Sequence, residues 1–271
     1  MSAVEVAPSA EDRSSPVSVG KDFLAGVMFL LRGLKMYARS PRLMLLGLIP
    51  AFISLVLLVA TLVTLAYFVS DLAELVTWFA DDWSSGWRQA IRIAAGVAIM
   101  GGAVLLSFVG FTALTLVIGE PFYEAISKNV EDRLGGLPGE VDIPFWRTLP
   151  RSIADSLQLL LLTALFGIPL FFAGFIPVVG ETVVPVIGAL VGGWFLSHEL
   201  IGVPFERRGL RMRDRRRMLR QRRALATGFG AATFACFLIP FGAVLIMPAA
   251  VAGATLMTRH LFGMSDRLNG Q

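Results

Sequence analysis

Long apolar segments, separated by short polar ones, make up most of this chain. Residues 43–69 and 91–118 are apolar almost throughout, and each is longer than the roughly 20 residues that a helix needs to cross a lipid bilayer. Two further apolar regions, 152–205 and 224–257, are interrupted by prolines. The pattern predicts an all-α membrane protein with two long transmembrane helices, two proline-bent helical hairpins and amphipathic interfacial helices.

The two proline-interrupted regions share a short motif. Ile176-Pro177 and Ile239-Pro240 are each followed, eight residues after the proline, by a second proline. Each hairpin is expected to turn at or near its first proline, because proline removes a helix hydrogen bond. In the second region, arms of about 16 residues would extend about 24 Å, less than the roughly 30 Å hydrocarbon core. That hairpin is therefore expected to enter and leave on one side, whereas the longer arms of the first could cross twice.

The repeated proline motif has two interpretations. Corresponding proline-interrupted segments in two parts of a membrane protein are typical of a transport path. The alternative is that they are packing devices of a re-entrant fold. Irregular backbone at membrane depth must be buried in protein or line a wet cavity, and oligomerisation could supply that burial.

The two ends of the chain are more polar than its middle. Residues 1–20 are rich in Ser, Pro and acidic residues, and we interpret them as a disordered cytoplasmic tail. Residues 21–42 combine apolar residues at helical spacing with lysines and arginines, which predicts an amphipathic helix on the inner leaflet, ended by Ser40-Pro41. A single membrane domain is expected over 21–262, followed by a C-terminal tail at 263–271.

Polar segments follow the two long spans. The loop 70–89 is acidic and contains three tryptophans, as expected of an external loop with aromatic anchors at the membrane boundary. After the second span, Pro121 is expected to begin a separate cytoplasmic helix that stops at Gly135-Gly136. A loop is expected over 137–150.

Ten arginines lie between Arg207 and Arg223, between two apolar regions. Short basic loops next to membrane segments stay on the cytoplasmic side. The cluster therefore predicts a multi-pass protein of the inner (plasma) membrane with a cytoplasmic N-terminus. The same charge attracts membrane lipid, whereas nucleic acid is not expected as a partner, because no nucleic-acid-binding motif accompanies the arginines.

The amino-acid composition argues against several classes of protein. Apolar residues make up 55% of the chain, charged residues 16%, and the mean hydropathy is +0.71, which is not typical of a soluble domain. One cysteine, Cys236, cannot form an internal disulfide, and with only two histidines neither a metal site nor another cofactor is expected. His198-Glu199 begins an HExxH pattern, but position 202 is Gly202 and the pattern fails. We therefore do not expect an enzyme.

Several motifs resemble those of a known family. They are Trp194-x3-His198-Glu199-x4-Pro204-x2-Arg207-Arg208-Gly209, then Ile239-Pro240-Phe241 and Met247-Pro-Ala-Ala-Val-Ala-Gly-Ala-Thr255, with Pro121-Phe122-Tyr-Glu124 and Glu131 earlier in the chain. This set resembles the CysZ/EI24 family of membrane proteins, whose bacterial members include sulfate permeases. The resemblance implies two long transmembrane helices, part-penetrating hairpins and homo-oligomers. It also implies sulfate as a substrate, bound near an arginine-bearing segment that leads into the first long helix.

Arg39 and Arg42 are the first candidates to bind such an anion, because they precede the first long helix and a helix N-terminus favours oxyanions. Gly47 could let the anion approach the backbone. Both arginines could instead only anchor the helix to lipid headgroups. Arg207 and Arg208 are second candidates, with an inside-positive topology signal as their alternative role.

Glu181 lies near the expected tip of the first hairpin. An acidic residue in a membrane segment is costly and often functional, so its carboxylate could serve proton coupling. If the tip reaches the outer surface, Glu181 is simply solvated.

Together these features predict a helical membrane oligomer that passes sulfate or a related anion inward. The rival hypothesis is a non-transporting membrane scaffold or partner-binding protein. It is motivated by the large arginine loop and by the Ser-Pro pair that separates Arg39 from Arg42. The sulfate permeases of the resembled family tend to carry adjacent arginines instead.

Overall fold

The computed structural model of the protein describes residues 16–137, 157, 161–210 and 212–264. These residues form helices and turns, and none of them lies in a strand, so the predicted all-α class is confirmed. The helices are α1 (Pro16–Ala38), α2 (Pro41–Val76), α3 (Ser85–Arg133), α4 (Leu161–Ala173), α5 (Val184–Leu200), α6 (Gly202–Glu206), α7 (Met212–Gln221), α8 (Arg223–Phe237) and α9 (Gly242–Leu261). A 3₁₀ turn spans Trp78–Ala80 and a π-helical turn spans Val179–Val183.

Four helical segments are long and apolar enough to cross a membrane. They are α2, α3, the segment Val179–Glu206 that contains α5 and α6, and α9. The two long helices predicted from sequence are confirmed, since α2 has 36 residues and α3 has 49. Most of the apolar surface of α2 and α3 is exposed, whereas α9 is largely buried in protein. The chain is a multi-pass membrane protein.

The chain forms two compact units, and the boundaries fall inside α2 and α3. The first, which we call the bundle unit, comprises Met1–Met44 and Tyr123–Gln271. The second, the two-helix unit, comprises Leu45–Phe122. Within the two-helix unit, Arg92 of α3 forms ion pairs of 3.0 Å with Glu74 of α2 and with Asp81 of the connecting turn.

Glycine contacts hold the bundle unit together. In it, α1 packs against α8 and α9, and α5 packs against α8. A β-carbon on Gly228 of α8 would overlap the Phe23 carbonyl oxygen of α1, and one on Gly230 would overlap the Gly193 carbonyl oxygen of α5. Small residues let membrane helices approach this closely, and the resulting van der Waals packing replaces the hydrophobic effect, which is weak between helices in lipid.

Both predicted hairpin turns are confirmed. Residues 174–178 are non-helical between α4 and the π-helical turn, and residues 238–241 separate α8 from α9. Val178 (φ 69°) and Phe241 (φ 60°) are the non-glycine residues with positive φ in the described part of the chain. Such a backbone conformation interrupts helix propagation, so the chain turns at Pro177 and at Pro240, as the Ile-Pro motifs predicted.

The arms of the second hairpin are less equal than expected. α8 has 15 residues and α9 has 20, which correspond to about 22 Å and about 30 Å. α9 is therefore as long as the hydrocarbon core is thick, although it is mostly packed inside the protein. Part penetration of this hairpin stays a prediction.

Two boundaries near the first long helix differ from the predictions. α1 begins at Pro16, so the last five residues of the predicted tail, 16–20, are helical, and residues 1–15 lie outside the described residues. α2 continues to Val76 and α3 begins at Ser85. The predicted loop 70–89 is therefore reduced to 77–84, because the helices extend past the ends of the apolar segments.

The prediction of a separate helix beginning at Pro121 was wrong, because Pro121 lies inside α3. An interior proline loses one backbone hydrogen bond, whereas ending and restarting a helix leaves several end groups without partners. The predicted stop is confirmed, since Gly135 (φ 98°) and Gly136 (φ 78°) follow α3 directly. The expected loop beyond Leu137 and the tail beyond Met264 lie outside the described residues.

Candidate anion-binding site

The amino end of α2 is a capped helix terminus flanked by arginines. Ser40 precedes Pro41, the first residue of α2, and its Oγ accepts a hydrogen bond from the Leu43 N–H at 3.4 Å. This is N-cap geometry, with proline in the first helical position, where no N–H is needed. Arg39 and Arg42 lie on either side of the cap and are both exposed. The two arginines therefore adjoin the positive end of the helix dipole.

A third arginine comes from the end of α3. The Arg133 guanidinium donates a hydrogen bond to the Ser40 Oγ at 2.5 Å, across a sequence separation of 93 residues. Arg133 could not be predicted from the sequence, because nothing in its neighbourhood along the chain indicates so distant a partner. The contact brings Arg133 to the same helix N-terminus as Arg39 and Arg42, and such an arrangement suits an oxyanion.

Tyr37 lies beside this cap. Burial raises the pKa of the Tyr37 phenol, so the hydroxyl stays protonated at physiological pH and donates a hydrogen bond to the Met44 carbonyl oxygen at 3.4 Å. The bond joins the last turn of α1 to the first turns of α2. It therefore helps to fix the segment that carries Arg39.

Gly47, the third predicted member of this site, lies further along α2, in the two-helix unit, and is buried. An amide well inside an α-helix is used by the hydrogen bond to the carbonyl four residues earlier. Gly47 therefore has no spare N–H to offer an anion, and we do not include it in the site.

Glu131 is a buried carboxylate between two arginines. Its side chain is 0% exposed, and Oε1 lies 2.6 Å from Arg208 Nη2, while Oε2 lies 2.5 Å from Arg259 Nη1. Arg208 also donates to the Pro204 carbonyl oxygen at 2.7 Å, and its guanidinium lies 5.3 Å from the centre of the Phe262 ring. The three charged groups form a network, which we call the Glu131 triad.

Arg259 connects the end of α9 to the end of α3. Besides its contact with Glu131, it donates to the Leu134 carbonyl oxygen at 2.7 Å and to the Gly136 carbonyl oxygen at 3.0 Å. Carbonyls at a helix C-terminus have no partner within the helix. Arg259 thus caps α3 from another part of the chain.

The structure places the second pair of candidates, Arg207 and Arg208, inside the bundle unit. Arg207 is 7% exposed, and the side chain of Arg208 is 8% exposed and committed to the Glu131 triad. A buried charge without a partner costs several kcal/mol, which explains why Arg208 lies against Glu131. This burial favours a structural role for the pair.

Glu181 lies where the sequence placed it, at the tip of the first hairpin. It belongs to the π-helical turn and is exposed. The same tip exposes the apolar side chains of Phe175, Ile176 and Val178. Proton coupling through Glu181 stays a prediction.

His198 is buried in the bundle unit and bonded to main-chain groups. Its Nδ1 lies 2.9 Å from the Trp194 carbonyl oxygen, and its own carbonyl oxygen accepts a hydrogen bond from Arg215 at 2.7 Å. Across the described ranges, no group of three His, Cys, Asp or Glu side chains could hold a metal ion.

The chain is similar in sequence to proteins of one known family. The family model described as sulfate transporter CysZ/etoposide-induced protein 2.4 matches residues 29–248. The sulfate transporter CysZ of Pseudomonas fluorescens Pf-5 is 32% identical over 239 residues, which cover 86% of this chain and 92% of that protein. The sulfate transporter CysZ of Pseudomonas paraeruginosa PA7 is 30% identical and covers 86% and 94%. The matched region contains α2, α3, both hairpin turns and the arginine cluster, and the chain belongs to the CysZ/EI24 family.

Proposed function

We propose that this protein, which is not expected to be an enzyme, carries sulfate or a related small anion across the inner membrane into the cytoplasm. One observation supports this most directly: the Arg133 guanidinium binds the capping Ser40 at the amino end of α2, where Arg39 and Arg42 are neighbours of the cap in sequence and are exposed. A tetrahedral oxyanion with two negative charges is stabilised by guanidinium groups and by backbone donors at a helix N-terminus. The relatives named sulfate transporter CysZ support the choice of ion.

The exposure of this site suits transport. Arg39 and Arg42 are exposed, and the amide of Arg42, in the first turn of α2, has no acceptor within the helix. An anion can exchange part of its hydration shell for these donors without being sealed from water. A conducting site must bind strongly enough to admit an ion and weakly enough to release it.

We place the arginine cluster and the N-terminus in the cytoplasm. The ten arginines between Arg207 and Arg223 support this orientation, because short basic loops resist translocation. In this orientation the amino end of α2 lies on the cytoplasmic side, where it would release an anion that is carried inward.

We also propose that the protein works as a homo-oligomer embedded in lipid. In the two-helix unit, α3 exposes large apolar side chains, among them Leu105 (70%), Leu106 (73%) and Val109 (72%). Lipid or a second copy must cover such surfaces. In the bundle unit, a second copy could supply the protein that the non-helical backbone at Pro177 and Pro240 needs at membrane depth.

Uptake of labelled sulfate by vesicles that contain the purified full chain tests the proposed function. Vesicles with wild-type protein should accumulate sulfate, and vesicles with the Arg39→Gln/Arg42→Gln variant should accumulate much less. Lys128→Gln, which removes an exposed charge from α3, serves as the control and should retain uptake. If folded wild-type protein gave no more uptake than protein-free vesicles, the proposal would be wrong.

A membrane scaffold that binds a partner protein is the second candidate function. The Ser40-Pro41 pair between Arg39 and Arg42 favours it, because the separation changes the adjacent arginine pair of the sulfate permeases described above. Co-purification of a membrane partner in fixed stoichiometry, with no heat of sulfate binding by calorimetry, would favour the scaffold over the transporter.

A further inference from the structure

Helix α7 has an exposed basic side and, opposite to it, a buried side. Taking about 100° of rotation per residue, Arg213, Arg217 and Arg220 fall within an arc of about 60°, and all three are exposed. Arg215 and Leu219 lie on the other side of the helix and are 7% and 0% exposed. We call the side formed by the three exposed arginines the outer face of α7.

The buried side fixes the direction of the outer face. Arg215 donates a hydrogen bond to the His198 carbonyl oxygen of α5 at 2.7 Å, and Leu219 is completely enclosed. At the end of the helix, Arg222 forms an ion pair of 3.3 Å with Asp22 of α1. These contacts fix the rotation of α7, so Arg213, Arg217 and Arg220 stay on its exposed side.

The outer face of α7 carries three positive charges. Arg213, Arg217 and Arg220 have no ion-pair partner in the part of the chain that the structure describes. They stand at spacings of four and three residues, at which like charges on a helix repel each other. An external anion that bridges these positions would relieve the repulsion.

The position of α7 along the chain identifies the source of that anion. Five residues separate the end of the candidate span Val179–Glu206 from Met212, and α8 begins two residues after Gln221. Five residues reach at most about 18 Å, so α7 stays close to the membrane surface. The abundant anions at that surface are lipid phosphates, and a basic segment there gains about 1 kcal/mol per arginine from anionic lipid.

We propose that the outer face of α7 is a binding surface for the phosphate groups of anionic phospholipids, with Arg213, Arg217 and Arg220 as the binding residues. Guanidinium groups bind phosphate oxygens in a bidentate manner, and three of them in one row can hold more than one headgroup. This surface is distinct from the amino end of α2 and does not depend on the proposed transport of sulfate.

Native mass spectrometry of the full chain tests the proposal. The protein would be released from detergent that contains equal amounts of phosphatidylglycerol and phosphatidylcholine, and the retained lipids would be counted. Wild-type protein should retain phosphatidylglycerol preferentially. The Arg213→Gln/Arg217→Gln/Arg220→Gln variant should lose this retention by about fivefold for each charge removed, whereas the corresponding triple lysine variant should keep most of it because the charge remains.

A second triple variant separates this surface from a general effect of net charge. Lys21→Gln/Lys35→Gln/Lys128→Gln removes three exposed charges elsewhere and should leave more phosphatidylglycerol bound than the α7 variant does. Equal losses in the two variants, or no loss in the α7 variant, would overturn the proposal. So would displacement of the retained lipid by excess sulfate, because the face would then hold free anions. Equal unfolding temperatures of all variants in phosphatidylcholine nanodiscs would exclude misfolding as the cause.

Discussion

Glu131 Oε2 and Arg259 Nη1 lie 2.5 Å apart although 128 residues separate them in sequence, and neither side chain is more than 5% exposed. With Arg208, this pair links the end of α3 to the end of α9 and to the segment after α6. The favourable energy of a buried ion pair is offset by desolvation, but removing one partner leaves a buried charge uncompensated. The integrity of the bundle unit therefore depends on all three members.

Replacing Glu131 by alanine should strongly destabilise the protein. The change leaves Arg208 and Arg259 without their shared carboxylate, and the loss of one partner of a buried pair costs about 3–5 kcal/mol. Thermal unfolding in detergent, followed by tryptophan fluorescence, should show a markedly lower midpoint for Glu131→Ala.

Glu74→Ala provides the matched control. Glu74 is 59% exposed and pairs with Arg92, which is 29% exposed, and exposed pairs contribute about 0–1 kcal/mol. Its midpoint should stay close to that of the wild type. Similar midpoints for Glu74→Ala and Glu131→Ala would show that the Glu131 triad does not stabilise the bundle unit.

Gly230→Ala should disturb the contact between α5 and α8. A β-carbon there would overlap the Gly193 carbonyl oxygen and crowd the Ser197 hydroxyl, and overpacking of this kind costs about 1–3 kcal/mol. Gly101→Ala adds the same methyl group to α3, where nothing lies within 4 Å. Size-exclusion chromatography and thermal unfolding should show a defect for Gly230→Ala only; equal behaviour would mean that the helices are not packed this closely.

The three arginines at the amino end of α2 should each contribute to sulfate binding. Arg39→Gln, Arg42→Gln and Arg133→Gln each remove a charged donor, and hydrogen bonds to charged groups contribute about 1.5–3 kcal/mol. Affinity measured by isothermal titration calorimetry should therefore fall about tenfold or more in each variant. If all three variants bound sulfate as tightly as the wild type, the anion would have to bind elsewhere.

Cysteine labelling tests the orientation of the chain. In a Cys236→Ser background, Ser85→Cys reports on the turn between α2 and α3, and Gln221→Cys reports on the end of α7. A membrane-impermeant maleimide should label the first in intact cells and the second only after lysis, because the basic loop is retained inside. Labelling of both in intact cells would contradict this orientation.

The hairpins could be predicted from sequence because their cause is local. Pro177 and Pro240 each follow isoleucine inside an apolar region, and the loss of a helix hydrogen bond is a property of proline itself. Pro121 has the same chemistry, yet α3 continues through it. A long helix on both sides makes one missing bond less costly than two new ends, and this balance depends on packing that sequence patterns do not reveal.

The candidate site was predictable only in part for a similar reason. Arg39 and Arg42 adjoin the helix start that Ser40-Pro41 indicates, so they could be named as candidates from neighbouring residues alone. Arg133 and the Glu131 triad depend on contacts across 77 to 128 residues. Glu131 follows Val130 and lies one turn after Ser127, and the structure shows that all three are buried. A carboxylate buried in this way requires a buried cation.

The glycine contacts between α1 and α8 affect how the protein is made. A β-carbon on Gly26 would overlap the Leu225 carbonyl oxygen, just as one on Gly228 would overlap that of Phe23. α1 leaves the ribosome early, whereas α8, against which it packs, is synthesised only near the end of translation. The nascent α1 therefore lacks this packing partner until Arg223–Phe237 has been synthesised. In a chain that terminates before α8, α1 would have no packing partner there and would be exposed to quality-control proteases.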